Sequence, residues 1–112
     1  MSEWVFEKQG NVGVVHLKGR LDAANEKSFK EAFREWMKET NRFVLDLDAM
    51  DFMDSTGLGA LLSCLKYVGE SRGEIKIARI QQGPRIVFEI TRASKIFDLF
   101  DDVASAVDSF PD

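Results

Sequence analysis

The chain has 112 residues, of which 45% are hydrophobic and 30% charged, a composition typical of a folded globular domain. Its 19 acidic residues outnumber 15 basic ones, so the formal charge is −4 and no basic surface for nucleic acid is predicted. The N-terminus lacks a signal-peptide pattern, and no apolar run approaches the roughly 20 residues of a membrane span. We therefore expect one domain over residues 1–112, cytoplasmic, whose partners are proteins and not membranes.

Cysteine and histidine often act in catalysis or metal binding, but the one cysteine and the one histidine of this chain are more simply explained as structural residues. Cys64 is the single cysteine, and its apolar helical surroundings predict a small buried hydrophobic residue. His16 is the single histidine and has no cysteine pair or serine close by in sequence, so we expect a structural or edge role. Neither a metal site nor a cofactor is predicted, and the absence of a disulfide framework fits a reducing compartment.

A hairpin is predicted at the N-terminus. Residues 4–8 and 11–17 are two short strand-like runs separated by Gln9-Gly10. In the second run both alternating sets contain apolar residues, so we expect it to be covered on both faces. Gly19 is expected to end this strand.

A helix and a buried strand follow the hairpin. Asp22 or Asn25 is expected to cap the helix by accepting hydrogen bonds from its free N–H groups, and the helix should extend to about Thr40. Residues 43–48 then begin as an almost continuous apolar run between two helices, which is typical of a parallel strand. One apolar stripe at helical spacing is expected to face the core: Phe29, Ala32, Phe33, Trp36 and Met37.

A second helix should begin at Ser55 and Thr56 and end near Gly73, which is a candidate left-handed cap. Residues 74–80 predict a further strand, and Gly83-Pro84 should open a third helix because proline suits a first turn. The apolar residues of this third helix are expected to face the core: Ile86, Val87 and Ile90, with Phe88 beside them.

The C-terminal part predicts a short strand and a last helix. Residues 94–99 should form the strand, with Ile96 and Phe97 facing inward. Asp101 or Asp102 should cap the helix that ends before Pro111. Strands alternating with helices indicate the α/β class.

Four carboxylates crowd the end of the central strand, where open α/β sheets usually bind ligands: Asp46, Asp48, Asp51 and Asp54. Asp46 and Asp48 could hold magnesium for phosphoryl transfer, but that chemistry also needs a basic residue and further acids, and the chain has no room for a cap domain. A two-component receiver needs an acidic pair after its first strand, and no acid follows the hairpin strands before Asp22. Gly57-Leu-Gly59 lacks the third glycine of a dinucleotide fingerprint. We therefore predict a protein that is not an enzyme.

The hydroxyls of Ser55 and Thr56 stand at a predicted helix start, where either one is most simply a cap. The same place also suits a phosphoryl group, because a helix N-terminus offers free N–H donors and about half a positive charge. A phosphoserine adds roughly −1.5 to −2 charges, which Asp54 and Asp51 would oppose. Attraction and repulsion are of similar size, so phosphorylation should leave the fold intact and change the surface sharply.

The sequence Asp54-Ser-Thr-Gly-Leu-Gly59, placed between an apolar strand and a leucine-rich helix, resembles the signature of the STAS domain, specifically of the bacterial anti-sigma factor antagonists. Gly19-Arg-Leu-Asp22 is similar to the Gly-x-Leu-Asp turn of that family, and the Gly83-Pro84 helix and Ile96-Phe97-Asp98 also match in type and spacing. The resemblance covers essentially the whole chain. It implies a small mixed sheet of about four or five strands with four helices packed mainly on one side.

The resemblance also implies a function, phosphorylation-controlled partner switching in the regulation of transcription. The unphosphorylated protein would bind an anti-sigma factor that is also a serine kinase and so release a sigma factor. The kinase would then phosphorylate Ser55, and a metal-dependent serine phosphatase would reverse the change. Asp22 would lie near the acceptor serine, and Thr56 stands where many relatives have a second serine. The partner-binding residues implied are Asp22, Asp54, Ser55, Thr56, Gly57, Leu58 and Gly59. The alternative is a STAS scaffold or a nucleotide- or lipid-binding regulatory module that does not act on a sigma factor.

Overall fold

The computed structural model describes residues 2–111, which form six β-strands and four α-helices. The strands are β1 (Glu3–Gln9), β2 (Val12–Leu21), β3 (Arg42–Asp46), β4 (Met50–Met53), β5 (Glu74–Ala78) and β6 (Asp98–Phe100). The helices are α1 (Glu26–Trp36), α2 (Ser55–Gly69), α3 (Gln82–Ile90) and α4 (Val103–Asp108), with a 3-10 turn at Ala93–Lys95. None of the helices in this part of the chain has the length and apolarity that a bilayer crossing requires.

The strands form one mixed sheet in the order β1-β2-β3-β5-β6. β1 runs antiparallel to β2, and the remaining neighbours along this path are parallel, as helix-connected strands must be. β4 lies off the path and pairs in parallel with the end of β2. The sheet described by residues 2–111 therefore has more strands than the four or five expected. The extra one is β4, whose four residues lie inside the acidic segment that the sequence presented as a turn.

The helices lie mainly on one side of the sheet, as expected. Buried side chains of α1, α2 and α3 share one large core with the sheet face that carries Val15 and Leu17 of β2. The opposite face carries Val12 and Val14, which pack in a smaller cluster with α4. The prediction that this strand is covered on both faces is confirmed.

Gly19 does not end β2, which continues to Leu21. Gly19 has a φ of +83°, and the β2–β4 register shifts between Gly19 and Arg20, so the glycine bends the strand at a bulge. The expected strand break was wrong because a bulge and a break both favour glycine. The extension beyond the bulge is what pairs with β4 and carries Asp22 to the start of α2.

The first helix begins at Glu26 and ends at Trp36, earlier than the expected Thr40. Neither predicted side chain caps it. Asn25 occupies the N-cap position, but its Oδ1 accepts a hydrogen bond from the Asp22 backbone N–H at 2.9 Å. Asp22 Oδ1 accepts from the Ala24 N–H at 3.0 Å. The two side chains therefore order the loop before the helix and leave its first turn to backbone acceptors.

Gly73 is not the left-handed residue after α2. Arg72 has that conformation, with φ of +60°. Glycine is needed at position 73 for space, because a Cβ there would lie 2.1 Å from the Asn41 carbonyl oxygen. β3 and β5 are also shorter than predicted, ending at Asp46 and Ala78.

The C-terminal third differs most from expectation. In α3 the buried side chains are Pro84 and Phe88, whereas Ile86 and Ile90 are exposed. The strand predicted over residues 94–99 begins only at Asp98, as β6, because the 3-10 turn occupies Ala93–Lys95. Ile96 is therefore exposed, and of the two residues expected to face inward only Phe97 is buried. The left-handed Arg92 redirects the chain before this turn. Asp102 caps α4, as one of the two predicted alternatives.

Candidate functional site

The start of α2 presents Ser55 and Thr56 to solvent, and neither of them caps the helix. Asp54 holds the N-cap position with extended backbone, and its Oδ1 accepts a hydrogen bond from the Gly57 N–H at 2.8 Å. Among residues 2–111, neither the Ser55 nor the Thr56 hydroxyl forms a hydrogen bond. The capping role that either hydroxyl could have had is therefore filled by the neighbouring carboxylate of Asp54.

Gly57 brings the end of β2 against the first turn of α2. A Cβ at this position would lie 2.0 Å from the Leu21 carbonyl oxygen, so only glycine fits. Leu21 is also paired with Met53 at the end of the parallel β2–β4 ladder. Because the two strands run in the same direction, Asp22 and Asp54 are the residues that follow this pair on the two strands, at the end where α2 begins.

Arg20 is the cation of this acidic region, and the sequence did not single it out. Its Nε donates to Asp22 Oδ2 at 3.1 Å, and its guanidinium carbon lies 4.1 Å from the centre of the Phe52 ring. Arg20 pairs with Phe52 across the β2–β4 ladder, which places the two side chains on one face. The unpredicted strand β4 is the reason this contact could not be found from the sequence.

The residues predicted to bind a partner differ in their access to solvent. Ser55, Thr56 and Gly59 are exposed, and Asp22 and Asp54 are half-buried. Gly57 and Leu58 are buried, so they position the first turn of the helix and are not part of its surface.

Gly59 lies one helical turn after Ser55, on the same face of α2. Unlike Gly57, it has open space around it, because a Cβ there would have no other atom within 4 Å. Packing within the fold therefore does not require glycine at this position. Ser55 and Gly59 are thus two exposed residues with small side chains on one face of α2.

The surface around the start of α2 is acidic. Asp54 directly precedes Ser55, and the exposed Asp51 lies three residues before Asp54 in β4. Asp22 follows Leu21, whose carbonyl oxygen lies against the first turn of α2. Arg20 already binds Asp22, so it offsets only part of this negative charge. The helix N-terminus adds a positive field of about half a charge at Ser55 itself.

A second polar cluster lies on the sheet face that carries α4 and surrounds Asp46, which is 3% exposed. Arg79 binds both carboxylate oxygens, with Nε at 3.0 Å from Oδ1 and Nη2 at 2.7 Å from Oδ2. His16 Nδ1 donates to Oδ2 at 2.6 Å, and its Nε2 lies 3.6 Å from Glu7. Burial alone would raise the pKa of Asp46, but the hydrogen bonds from Arg79 and His16 outweigh it, so the net pKa is lowered.

This arrangement speaks against the phosphoryl-transfer hypothesis for Asp46 and Asp48. The oxygens of Asp46 are committed to Arg79 and His16, and Asp48 lies in the turn beyond β3. The two carboxylates border a cleft of about 280 Å³ together with Val5 and Lys18. Within residues 2–111, no three histidine, cysteine, aspartate or glutamate side chains gather as metal ligands.

Cys64 is fully buried in the main core, as predicted. Burial raises the pKa of its thiol to about 12, so the reactive thiolate is scarce at neutral pH. A structural role is sufficient for this residue.

Known proteins resemble this chain along most of its length. Residues 3–106 match the family model of the STAS domain. The anti-sigma F factor antagonist of Paenibacillus polymyxa is 25% identical over 104 residues, which cover 91% of this chain and 89% of the relative.

Solved structures show the same fold. The crystal structure of an anti-sigma factor antagonist from Mycobacterium paratuberculosis has a TM-score of 0.85 and 23% identity, over 100% of this chain and 96% of that one. The Bacillus cell fate determinant SpoIIAA in its phosphorylated form has a TM-score of 0.75 and 17% identity, over 95% of this chain and 97% of that one. At these identities the likeness establishes the fold alone.

Proposed function

Because the chain belongs to the STAS domain family, we propose that it is an anti-sigma factor antagonist controlled by phosphorylation of Ser55. The unphosphorylated protein binds an anti-sigma factor that is also a serine kinase, and a sigma factor is thereby released for transcription. Phosphorylation dissociates the complex, and a metal-dependent serine phosphatase restores the active form. The protein works in the cytoplasm as an interaction switch and not as an enzyme.

The observation that carries this proposal is the exposed Ser55 hydroxyl beside a separate cap. Asp54 supplies the hydrogen bond that stabilises the first turn, so a phosphoryl group on Ser55 breaks no contact of the fold. The helix N-terminus partly offsets its charge. A switch that must keep its fold in both states needs these properties at its modification site.

The acidic surroundings explain how phosphorylation would change binding. A phosphoserine adds about −1.5 to −2 charges at pH 7, next to Asp22 and Asp54. Arg20 is already paired with Asp22, so the helix N-terminus is left to offset part of the new charge and the rest adds to the acidic surface. A partner face suited to the unmodified surface would then meet a strongly negative one, and like-charge contacts at an interface cost several kcal/mol.

The related proteins support the same role. The Paenibacillus relative is named as an antagonist of an anti-sigma factor, and the Bacillus structure shows that a protein of this fold exists in a phosphorylated form.

The direct test is to incubate the purified protein and ATP with each anti-sigma-type serine kinase of the source organism. Mass spectrometry of the products should then find one phosphate, on Ser55. Ser55→Ala should abolish labelling, and Thr56→Ala, which removes the adjacent exposed hydroxyl, should retain it. Phosphate on Thr56 or Ser63, or no phosphorylation by any of these kinases, would refute the proposal.

A further inference from the structure

We propose that Phe52, Ile86 and Ile90 form an apolar docking surface, the β4–α3 surface, which anchors the kinase while its catalytic site engages Ser55. The inference rests on the proposed function and adds to it the part of the protein that supplies affinity. None of these three residues belongs to the sequence motif around Ser55.

The three side chains are large, apolar and accessible. Phe52 is 39% exposed, Ile86 is 49% exposed and Ile90 is 76% exposed. A fully accessible isoleucine on a helix gains nothing from folding, and an apolar group that stays in water at several neighbouring positions commonly marks an interaction site. The core of α3 is complete without the isoleucines, because Pro84 and Phe88 fill it.

The residues lie on two elements that pack against each other close to the start of α2. α3 packs against β4, and a Cβ on Gly83 would lie 3.4 Å from the Asp51 carbonyl oxygen. Ile86 and Ile90 follow Gly83 by three and seven residues, so they lie on the same side of the helix. Phe52 follows Asp51 in β4, and the strand leads directly into Ser55.

The acceptor region cannot hold a partner tightly by itself. Its exposed residues are Ser55, Thr56 and Gly59, which offer little apolar area, and Leu58 is buried. Interfaces derive most of their affinity from a few large anchors close to their centre. The β4–α3 surface has exposed apolar side chains on the strand that leads to Ser55 and on the helix packed against that strand, so it can supply such anchors.

The charges on this surface indicate what kind of protein fits it. The end near Ser55 is acidic, through Asp51 and Asp54. A serine kinase places magnesium and nucleotide-binding cations next to the hydroxyl that it phosphorylates, so its catalytic mouth complements that end. Arg20 lies over the Phe52 ring and adds a positive charge beside the apolar part of the surface. The occupant is therefore a kinase that carries an apolar patch beside its catalytic mouth.

Separating the anchor from the switch has a functional consequence. Apolar contacts on β4 and α3 are unchanged when Ser55 is phosphorylated, so they support binding of either form. The phosphate on Ser55 then weakens kinase binding through its charge alone. Loss of the anchor should therefore weaken binding of the unphosphorylated protein without changing which residue is phosphorylated.

The test compares the double variant Ile86→Gln and Ile90→Gln with the wild type, using the kinase that phosphorylates Ser55 and ADP in place of ATP. Calorimetry should show that the Kd rises by about tenfold or more, which is 1.4 kcal/mol or more. The matched control is Val5→Gln, because Val5 is an apolar residue of β1 with 44% exposure. Circular dichroism and thermal unfolding verify that each variant is folded, and Phe52→Gln provides an independent second variant.

The possible outcomes distinguish failure of the β4–α3 surface from failure of the proposed function. If the wild type is phosphorylated on Ser55 and the double variant binds the kinase as tightly as Val5→Gln does, the β4–α3 surface is refuted and the proposed function stands. If no kinase phosphorylates Ser55, both are refuted. If the wild type is a dimer that these substitutions dissociate, with kinase affinity unchanged, the surface joins two copies of the chain and the kinase assignment is wrong.

Discussion

Two glycines in the first turns of α2 should respond to alanine in opposite directions. Gly57 and Gly59 lie in the same helix, so replacing either one with alanine removes the same conformational cost, about 1 kcal/mol. Their surroundings differ. A Cβ at Gly59 meets no other atom within 4 Å, whereas a Cβ at Gly57 meets the Leu21 carbonyl oxygen at 2.0 Å.

Gly59→Ala should therefore raise the free energy of unfolding by about 0.5–1 kcal/mol. For Gly57→Ala, the carbonyl group must move away by about 1 Å to reach even a tight contact distance, and it belongs to the last β2–β4 pair. Overpacking of this kind typically costs 1–3 kcal/mol, here with no flexible side chain to absorb it, so we expect a net loss of about 1–2 kcal/mol.

Urea unfolding followed by circular dichroism at fixed pH measures both variants on one scale. Opposite signs of the change in unfolding free energy support the packing of β2 against α2. A stabilised Gly57→Ala would show that Leu21 does not contact the helix, and the placement of Asp22 beside Ser55 would then be wrong.

Three further results are expected. Gly59→Ala, although more stable, should weaken kinase binding measured by calorimetry, because the added methyl group projects from the exposed helix face one turn after Ser55. Unchanged affinity would show that Gly59 is not part of the interface. Asp54→Ala and Asp102→Ala should each lower the unfolding free energy by about 1 kcal/mol through loss of the caps of α2 and α4, but only Asp54→Ala should also alter the rate at which Ser55 is phosphorylated. Asp46→Asn should destabilise the protein at pH 7 by about 1–3 kcal/mol, less than a fully buried ion pair because Arg79 is 40% exposed. The pKa of Asp46 is lowered by folding, so its stabilisation is present above the unfolded pKa of about 3.9 and is lost as the pH falls through the folded value. Urea titrations between pH 7 and pH 2 should accordingly show that the unfolding free energy of Asp46→Asn falls less at low pH than that of the wild type. Equal losses of unfolding free energy in the two proteins would contradict this.

The start of α2 and its exposed hydroxyls were predictable from the sequence because their determinants are local. A cap, a helix start and an exposed hydroxyl are set by residues within one turn of each other, and the junction Asp54–Gly59 contains all of them. The sequence could not decide which side chain was the cap. Only the structure shows that Asp54 accepts the bond and leaves Ser55 free.

Features that depend on distant pairing were missed. Arg79 and Asp46 are separated by 33 residues and meet only because β3 and β5 are neighbours. Strand β4 is four residues long and has charged neighbours, so its sequence resembles a turn. Its pairing with β2 is a tertiary contact, and the position of Arg20 over Phe52 follows from that pairing.

The outward isoleucines of α3 illustrate a different limit. Helical periodicity identifies an apolar stripe, but Ile86, Val87, Phe88 and Ile90 spread over about 200° of this short helix, which is more than one face. Packing selects Phe88 for the core and leaves Ile86 and Ile90 in solvent. The fold thus decides which of these apolar residues are buried. The two that remain exposed, Ile86 and Ile90, are those that we propose to contact a partner.

The most direct test of the central claim is the affinity of the kinase for the two forms of this protein. Calorimetry with ADP present would compare the unmodified protein with the protein carrying phosphoserine at position 55. We expect the phosphorylated form to bind at least about tenfold more weakly, with an unchanged circular dichroism spectrum. Equal affinities for the two forms would show that Ser55 is not the switch.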